Sequence, residues 1–131
     1  MPAQIRLMNP SSLPTPPGYS QIALIGGGQL LVIAGQVALD QQGGVVGPGD
    51  FAAQAVQVFR NVVYALEAAG AGPRNLVKLT TFVTDMSNLP AYRMARDQFL
   101  DPAHPPASTL VQVPSLFRPE FLIEVEALAV V

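Results

Sequence analysis

The stretch Asp50–Gly70, DFAAQAVQVFRNVVYALEAAG, decides how the rest of the chain is interpreted. Its apolar residues recur at three- and four-residue spacing, which places them on one face of an α-helix. They are Phe51, Ala55, Val58, Phe59, Val62, Leu66 and Ala69. Asp50 is predicted to cap the start of this helix and Gly70 to end it, because these residue types are favoured at those positions.

Two apolar stretches precede this helix, at Tyr19–Ile25 and Leu30–Leu39. The glycine-rich segment 26–29 separates them, which predicts an antiparallel hairpin. A phosphate-binding loop is the alternative, but no Gly-Lys-Ser/Thr motif follows and the next segment is predicted as a strand. Segment 41–49 is predicted as a turn, with a short strand at Val45-Val46.

Strands and a second helix follow the first helix. Alternating side chains at Asn75–Thr84 predict a strand with both faces partly covered. Ser87 or Asn88 is predicted to cap a helix that ends near Asp101-Pro102. Its apolar stripe comprises Leu89, Tyr92, Ala95 and Phe99. Two further strands are predicted at 108–113 and 121–131, with a loop at 114–119 between them.

These elements predict one α+β domain over residues 1–131, preceded within that range by an extended N-terminal segment, 1–18. A chain of 131 residues fits a single domain of ordinary size. It has no cysteine, which excludes disulfides, thiolate chemistry and cysteine-bound metals. The first 20 residues hold five prolines and no apolar run suited to a signal peptide or membrane span, so a cytoplasmic protein without a membrane partner is expected.

Charge gives no support for a nucleic-acid partner. Seven Lys and Arg residues stand against nine Asp and Glu, whereas binding a polyanion requires clustered positive charge. Charged residues make up only 12% of the chain, against about a quarter in an average soluble domain. Two helices also cover only one face of a sheet, although several strands are apolar on both faces. Association with further copies of the chain is therefore expected.

Four segments, in their order and spacing, carry a family resemblance: Ile33–Gln36, Ala52–Gly70, Val77–Asp85 and Ile123–Val130. Together they resemble the RidA (YjgF-like) family of reactive-intermediate deaminases. The resemblance implies a chorismate-mutase-like α+β fold, with a mixed sheet and two helices on one face. It also implies a homotrimer whose sheets form a central barrel, and small-molecule clefts between subunits.

The chemistry that the resemblance implies is hydrolysis of enamines and imines to a keto acid and ammonia, with no cofactor and no metal. In archetypal members an arginine in a Pro-Ala-Arg motif holds the substrate carboxylate. Here the motif is Pro106-Ala107-Ser108. A serine hydroxyl cannot provide a charged two-pronged clamp, so a different substrate is expected. Ser108 is predicted to line the cleft or to donate a hydrogen bond to the ligand, and no His/Asp pattern supports it as a nucleophile.

Glu124 matches the family carboxylate that holds the attacking water, so it is the predicted catalytic residue. A general base in an apolar cleft is expected to have a raised pKa. The alternative is that Glu124 and Glu126, on one face of the last strand, are solvated or paired with Lys78. Tyr19 matches a tyrosine that covers the ligand, and Gly35 a glycine whose backbone faces it; an ordinary aromatic and a packing glycine are the alternatives.

Arg93 matches a cavity-facing asparagine of the family and is hypothesised to supply the missing guanidinium. Leu89, in the same predicted helix, is included with Arg93 among the substrate-binding residues. The alternative is that Arg93 and Arg96 are surface charges, or pair with Asp97 or Glu67. The single histidine, His104, matches no catalytic position and has no second histidine with which to bind a metal.

Three functions remain open from the sequence. The first is a hydrolytic deaminase of imines or enamines other than the archetypal substrate. The second is a trimeric small-molecule binding protein without that chemistry. The third, endoribonuclease and translation-inhibitor activity, is disfavoured by the acidic charge balance and by the missing arginine.

Overall fold

The computed structural model describes all residues, Met1–Val131, and contains six strands and two α-helices. The strands are β1 (Ile5–Met8), β2 (Ile22–Ile25), β3 (Leu30–Gln36), β4 (Leu76–Val83), β5 (Ala107–Gln112) and β6 (Ile123–Val130). The helices are α1 (Phe51–Ala68) and α2 (Leu89–Phe99). Neither helix is long and apolar enough to cross a membrane.

The main sheet has the strand order β3-β6-β4-β5. β4 pairs in parallel with β5, and β6 runs antiparallel to both β3 and β4, so the sheet is mixed. Alternate residues of β6 are buried beneath the helices, from Ile123 to Ala129. The predicted α+β fold, with two helices on a mixed sheet, is confirmed.

The predicted hairpin between the first two apolar stretches is wrong. β2 instead pairs antiparallel with β1, an N-terminal strand that the sequence analysis did not predict. β3 pairs with β6 from the far end of the chain, and Gln29 and Val131 extend this ladder by exchanging hydrogen bonds of 2.7 and 2.9 Å. Alternation in a sequence predicts strands but not their partners, because pairing depends on segments distant in the chain.

Helix α1 begins and ends as predicted. The Asp50 carboxylate accepts a hydrogen bond from the Ala53 N–H at 3.1 Å, and Gly70 follows the helix with a φ of 71°. The cap of α2 differs from the prediction. Asn88 makes no side-chain cap bond, and Asp85 instead accepts from the Ser87 N–H at 2.9 Å in a preceding 3-10 turn.

A buried amide connects α1 to the segments around it. Gln54 is fully buried, and its Nε2 donates to the Glu120 carbonyl at 2.8 Å and to the Gly47 carbonyl at 3.2 Å. Its Oε1 accepts from the Leu122 N–H at 2.9 Å. Because buried polar groups need partners, this amide fixes the approach to β6.

The sheet face opposite the helices carries exposed apolar side chains. Leu30 and Val32, alternate residues of β3, are each 66% exposed. Val32 pairs with Leu128 of β6, so this apolar surface continues onto the neighbouring strand. We call this side of the main sheet the open face, since no helix of the same chain covers it.

Candidate active site

Glu124 lies on the open face of β6. It pairs with Phe82 of β4, and Glu126 pairs with Thr80, so the two carboxylates lie two residues apart on one side of the sheet. Neither makes an ion pair within the chain. The ammonium of Lys78 donates to Thr109 Oγ1 at 2.6 Å. The expectation that both glutamates share a face is confirmed, but the alternative pairing with Lys78 is absent.

The surroundings of Glu124 raise the pKa of its carboxyl above the ordinary value. Partial burial is the larger cause, and the negative charge of Glu126 is the second. Both disfavour the charged form. A carboxyl with a raised pKa gives up and takes back a proton nearer to neutral pH, which suits a general base.

Gly35 provides the space that the Glu124 side chain occupies. The β3–β6 register shifts between Ile33 and Gln36, and this irregularity places Gly35 beside Glu124. A Cβ built on Gly35 would overlap Glu124 Oε2 and would lie 2.8 Å from Cδ and 3.1 Å from Cγ. Only glycine allows the carboxylate this close to the β3 backbone.

An open groove of about 920 Å³ begins at Gly35 and runs between the end of β3 and helix α1. Gln57, Arg60, Asn61 and Tyr64 line it from α1, and Phe117 lines it from the loop before β6. Sequence reasoning missed these residues. The available signal was the set of amides and the arginine on the polar side of α1, but the pattern alone does not show which surface they face.

Ser108 lies on the helix side of the sheet. It pairs with Leu79, whose side chain is buried beneath the helices. The Tyr92 hydroxyl, buried on the same side, shares a 3.1 Å hydrogen bond with Thr81. Burial raises the pKa of Tyr92 above the ordinary value. Ser108 and Glu124 are therefore on opposite faces of one sheet.

Tyr19 is held beside the start of β5. The backbone N–H of the next residue, Ser20, donates to the Pro106 carbonyl at 3.0 Å. Arg96 packs against the residue before Tyr19, since a Cβ on Gly18 would lie 2.5 Å from its Nη2. Tyr19 thus lies beside the first residues of β5, which include Ser108.

Arg93 and Leu89 both belong to α2. Arg93 is exposed and makes no hydrogen bond or ion pair, so the predicted alternative of pairing with Asp97 or Glu67 does not hold for it. Arg96 does pair with Asp97, at 3.0 Å. Leu89 is half-buried against the core. Because α2 covers the helix side, neither residue reaches Glu124 within one chain.

Comparison with known proteins identifies the family. The sequence model of the family described as endoribonuclease L-PSP matches residues 11–131. A RutC family protein of Synechocystis is 35% identical over 127 residues, which cover 96% of each chain. The solved structure of a Rid family protein of unknown function from Yersinia pestis aligns with a TM-score of 0.85 and 35% identity, covering 97% of this chain and 98% of that one. The chain belongs to the RidA (YjgF-like) family.

One relative of this chain is named after an enzymatic activity. The 2-iminobutanoate/2-iminopropanoate deaminase of Escherichia coli K12 is 34% identical over 105 residues, which cover 79% of this chain and 80% of that protein. The family resemblance seen in the sequence is confirmed.

The predicted site residues of this RidA protein fall into two groups that one chain does not bring together. Gly35 and Glu124 meet on the open face, while Tyr19, Ser108, Leu89 and Arg93 lie on the helix side or at its edge. No group of three or more His, Asp or Glu side chains is arranged to hold a metal ion.

Proposed function

We propose that this RidA protein is a cofactor-independent hydrolytic deaminase of reactive imine or enamine intermediates, with a substrate other than the archetypal one. The observation that carries the proposal is the Glu124 carboxylate, unpaired, partly buried and in contact with the bare backbone of Gly35. The name of the Escherichia coli relative supports the reaction class.

In the proposed reaction Glu124 moves protons while water attacks the imine carbon. The substrate is the imine protonated on nitrogen. The Glu124 carboxylate takes a proton from water as the water oxygen bonds to the imine carbon, and the C=N π electrons pass to nitrogen, which gives a neutral carbinolamine. Glu124 then returns that proton to the amine nitrogen. The C–N bond breaks with its electron pair leaving on ammonia, the hydroxyl oxygen forms the C=O bond, and the hydroxyl proton passes to the Glu124 carboxylate, which releases it to the departing ammonia. Glu124 acts as base and then as acid, which its raised pKa favours.

We assign the substrate to clefts between subunits of a homotrimer. Exposed Leu30 and Val32 support self-association through the open face, because apolar patches of this kind mark interfaces. The separation of Glu124 from the predicted site residues on the helix side also supports self-association, since a neighbouring subunit can place its Tyr19 and Ser108 near Glu124. Ser108 carries no charge, which disfavours small substrates held only through their carboxylate.

The test is deamination of a panel of imines generated in situ by an amino-acid oxidase, with acidic, neutral and basic side chains. We expect the wild type to accelerate ammonia release and Glu124→Gln to lose at least about a hundredfold in rate, the usual contribution of general acid–base catalysis. Glu126→Gln is the matched control, since it removes a carboxylate from the same face and should retain turnover. Arg93→Ala in the same panel tests whether Arg93 binds the substrate. Equal rates for wild type and Glu124→Gln would overturn the proposal.

A trimeric small-molecule binding protein without deaminase activity is the second candidate. Ser108, at the position of the family arginine, favours it, because an uncharged hydroxyl cannot clamp a substrate carboxylate through two charged hydrogen bonds. Saturable binding of keto acids with no turnover of any imine would establish this alternative.

A further inference from the structure

We propose that the groove beside Gly35 binds an aromatic carboxylate, with Arg60 holding the carboxylate and Tyr64 and Phe117 contacting the ring. We also assign imines of aromatic amino acids as the substrates, and this assignment rests on the proposed deaminase function. Binding of an aromatic carboxylate does not depend on turnover, so it can be tested separately.

Arg60 is a cation without an anionic partner. No carboxylate lies within ion-pairing distance of its guanidinium. Its one polar contact is a long hydrogen bond of 3.3 Å, in which Nη1 donates to Gln57 Oε1. A guanidinium fork binds a carboxylate through two parallel hydrogen bonds, and the remaining N–H groups of Arg60 are free to do so.

A network of amides holds the groove wall in place beneath Arg60. Gln57 is almost fully buried, and its Nε2 donates to Asn61 Oδ1 at 2.9 Å. Asn61 Nδ2 donates in turn to the carbonyls of Leu39 at 2.9 Å and Val37 at 3.2 Å. This network connects α1 to the chain after β3, so the shape of the groove is set before a ligand arrives.

The acidic side chain in the groove does not neutralise Arg60. Asp40 Oδ1 accepts hydrogen bonds from the backbone N–H groups of Gln42 at 2.9 Å and Gly44 at 2.8 Å. The carboxylate therefore stabilises its own turn. It makes no ion pair with Arg60, which remains available to an anionic ligand.

Two exposed aromatic rings border the same groove. Tyr64, one helical turn after Arg60, is 57% exposed, and Phe117 is 69% exposed. Phe117 is steadied by the ring of Phe121, with centroids 4.9 Å apart. Solvent-exposed aromatic rings in the same groove as the Arg60 guanidinium are suited to bind a ligand that has both a flat apolar group and a negative charge.

Gly35 connects the groove to Glu124. Its backbone borders the groove and also contacts the Glu124 carboxylate. A substrate held by Arg60 thus lies along the β3 segment that adjoins the catalytic carboxylate. Arg93, on α2, does not line this groove.

Binding of 3-phenylpropanoate to the full-length protein, measured by calorimetry, tests the inference. We expect saturable binding to the wild type and at least about tenfold weaker binding to Arg60→Gln, the loss typical of a charge-assisted bond. Arg6→Gln is the control, because Arg6 is an exposed arginine of β1 without an ion pair. The amide 3-phenylpropanamide and the ringless propanoate should each bind at least about tenfold more weakly than 3-phenylpropanoate to the wild type.

The location of binding is checked by amide chemical shifts in ¹⁵N-labelled protein. We expect 3-phenylpropanoate to shift Gly35 and Asn61. No binding to the wild type, equal affinity for Arg60→Gln, or shifts confined to surfaces away from the groove would each overturn the inference.

Turnover separates this inference from the proposed function. If aromatic imines are hydrolysed with a KM that Arg60→Gln raises about tenfold, both hold. If Glu124→Gln abolishes turnover and Arg60→Gln leaves KM unchanged, the deaminase function stands and the groove assignment is wrong. Aromatic carboxylate binding that depends on Arg60 without any turnover supports the groove and overturns only the deaminase function.

Discussion

The carboxylate of Glu124 lies against the α-carbon of Gly35, in the space that a side chain at residue 35 would fill. The two residues come from β3 and β6, which are adjacent in the sheet but distant in sequence. The shifted register of these strands creates the contact. The position of the proposed catalytic group therefore depends on one missing Cβ.

We expect Gly35→Ala to reduce deamination strongly while changing stability little. The added Cβ must displace Glu124, but the atoms in its way belong to the end of a flexible side chain, so the fold can accommodate it. Gly72→Ala is the control, because a Cβ there meets no atom within 4 Å. Steady-state rates and thermal melts of both variants check this. Unchanged rates in Gly35→Ala would show that the position of Glu124 is not critical.

Glu124→Gln is expected to stabilise the protein at neutral pH. The pKa of Glu124 is higher in the folded state than in the unfolded state. The contribution of the protonated carboxyl to the free energy of unfolding is therefore fully present below the unfolded-state pKa, and it is lost as pH rises through the folded-state pKa. At pH 7 the charged, partly buried carboxylate is unfavourable, and the neutral amide removes that cost. Thermal melts should show a higher Tm for Glu124→Gln at pH 7 and no advantage near pH 4. A lower Tm at pH 7 would contradict the raised pKa.

The pH dependence of deamination should follow the same group. Since Glu124 must be ionised to accept a proton from water, kcat/KM is expected to fall as pH decreases through a pKa above the ordinary glutamate value of 4.5. Glu126→Gln removes the neighbouring negative charge and should shift this acidic limb to lower pH. Profiles of wild type and Glu126→Gln across pH 4–8 measure the shift, and coincident profiles would mean that Glu126 does not act on Glu124.

Val32→Glu is expected to disrupt self-association. It places a charge in the centre of the exposed apolar surface of β3, where burial in an interface would be costly. Met94→Glu is the control, because Met94 is 70% exposed on α2, away from the open face. Light scattering after size-exclusion chromatography should give a trimer for wild type and Met94→Glu and a smaller species for Val32→Glu. A trimer in all three would place the interface elsewhere.

Gln54→Leu is expected to destabilise the fold by about 3 kcal/mol, since it leaves partly buried backbone groups of Glu120 and Leu122 without partners. Gln98→Leu, at an exposed position of α2, should change the free energy of unfolding by less than about 0.5 kcal/mol. Urea denaturation of both variants measures the difference. Equal losses would show that the buried amide contributes no more than a surface one.

The sequence alone determined which segments form the two helices and the strands of the main sheet, and which face of each helix is apolar. The spacing of apolar residues gave α1 with its cap at Asp50, and alternation placed Glu124 and Glu126 on one face of the last strand. These features depend on neighbours within a few residues, so a local pattern is enough to predict them.

Only the tertiary structure decided which segments meet. It paired β2 with the unpredicted β1, placed Gly35 against Glu124, and put Ser108 on the opposite side of the sheet. It also gathered Arg60 and Phe117 around one groove. These contacts join residues far apart in the chain, and strand order and register set them through the packing of the whole core, which no local pattern encodes.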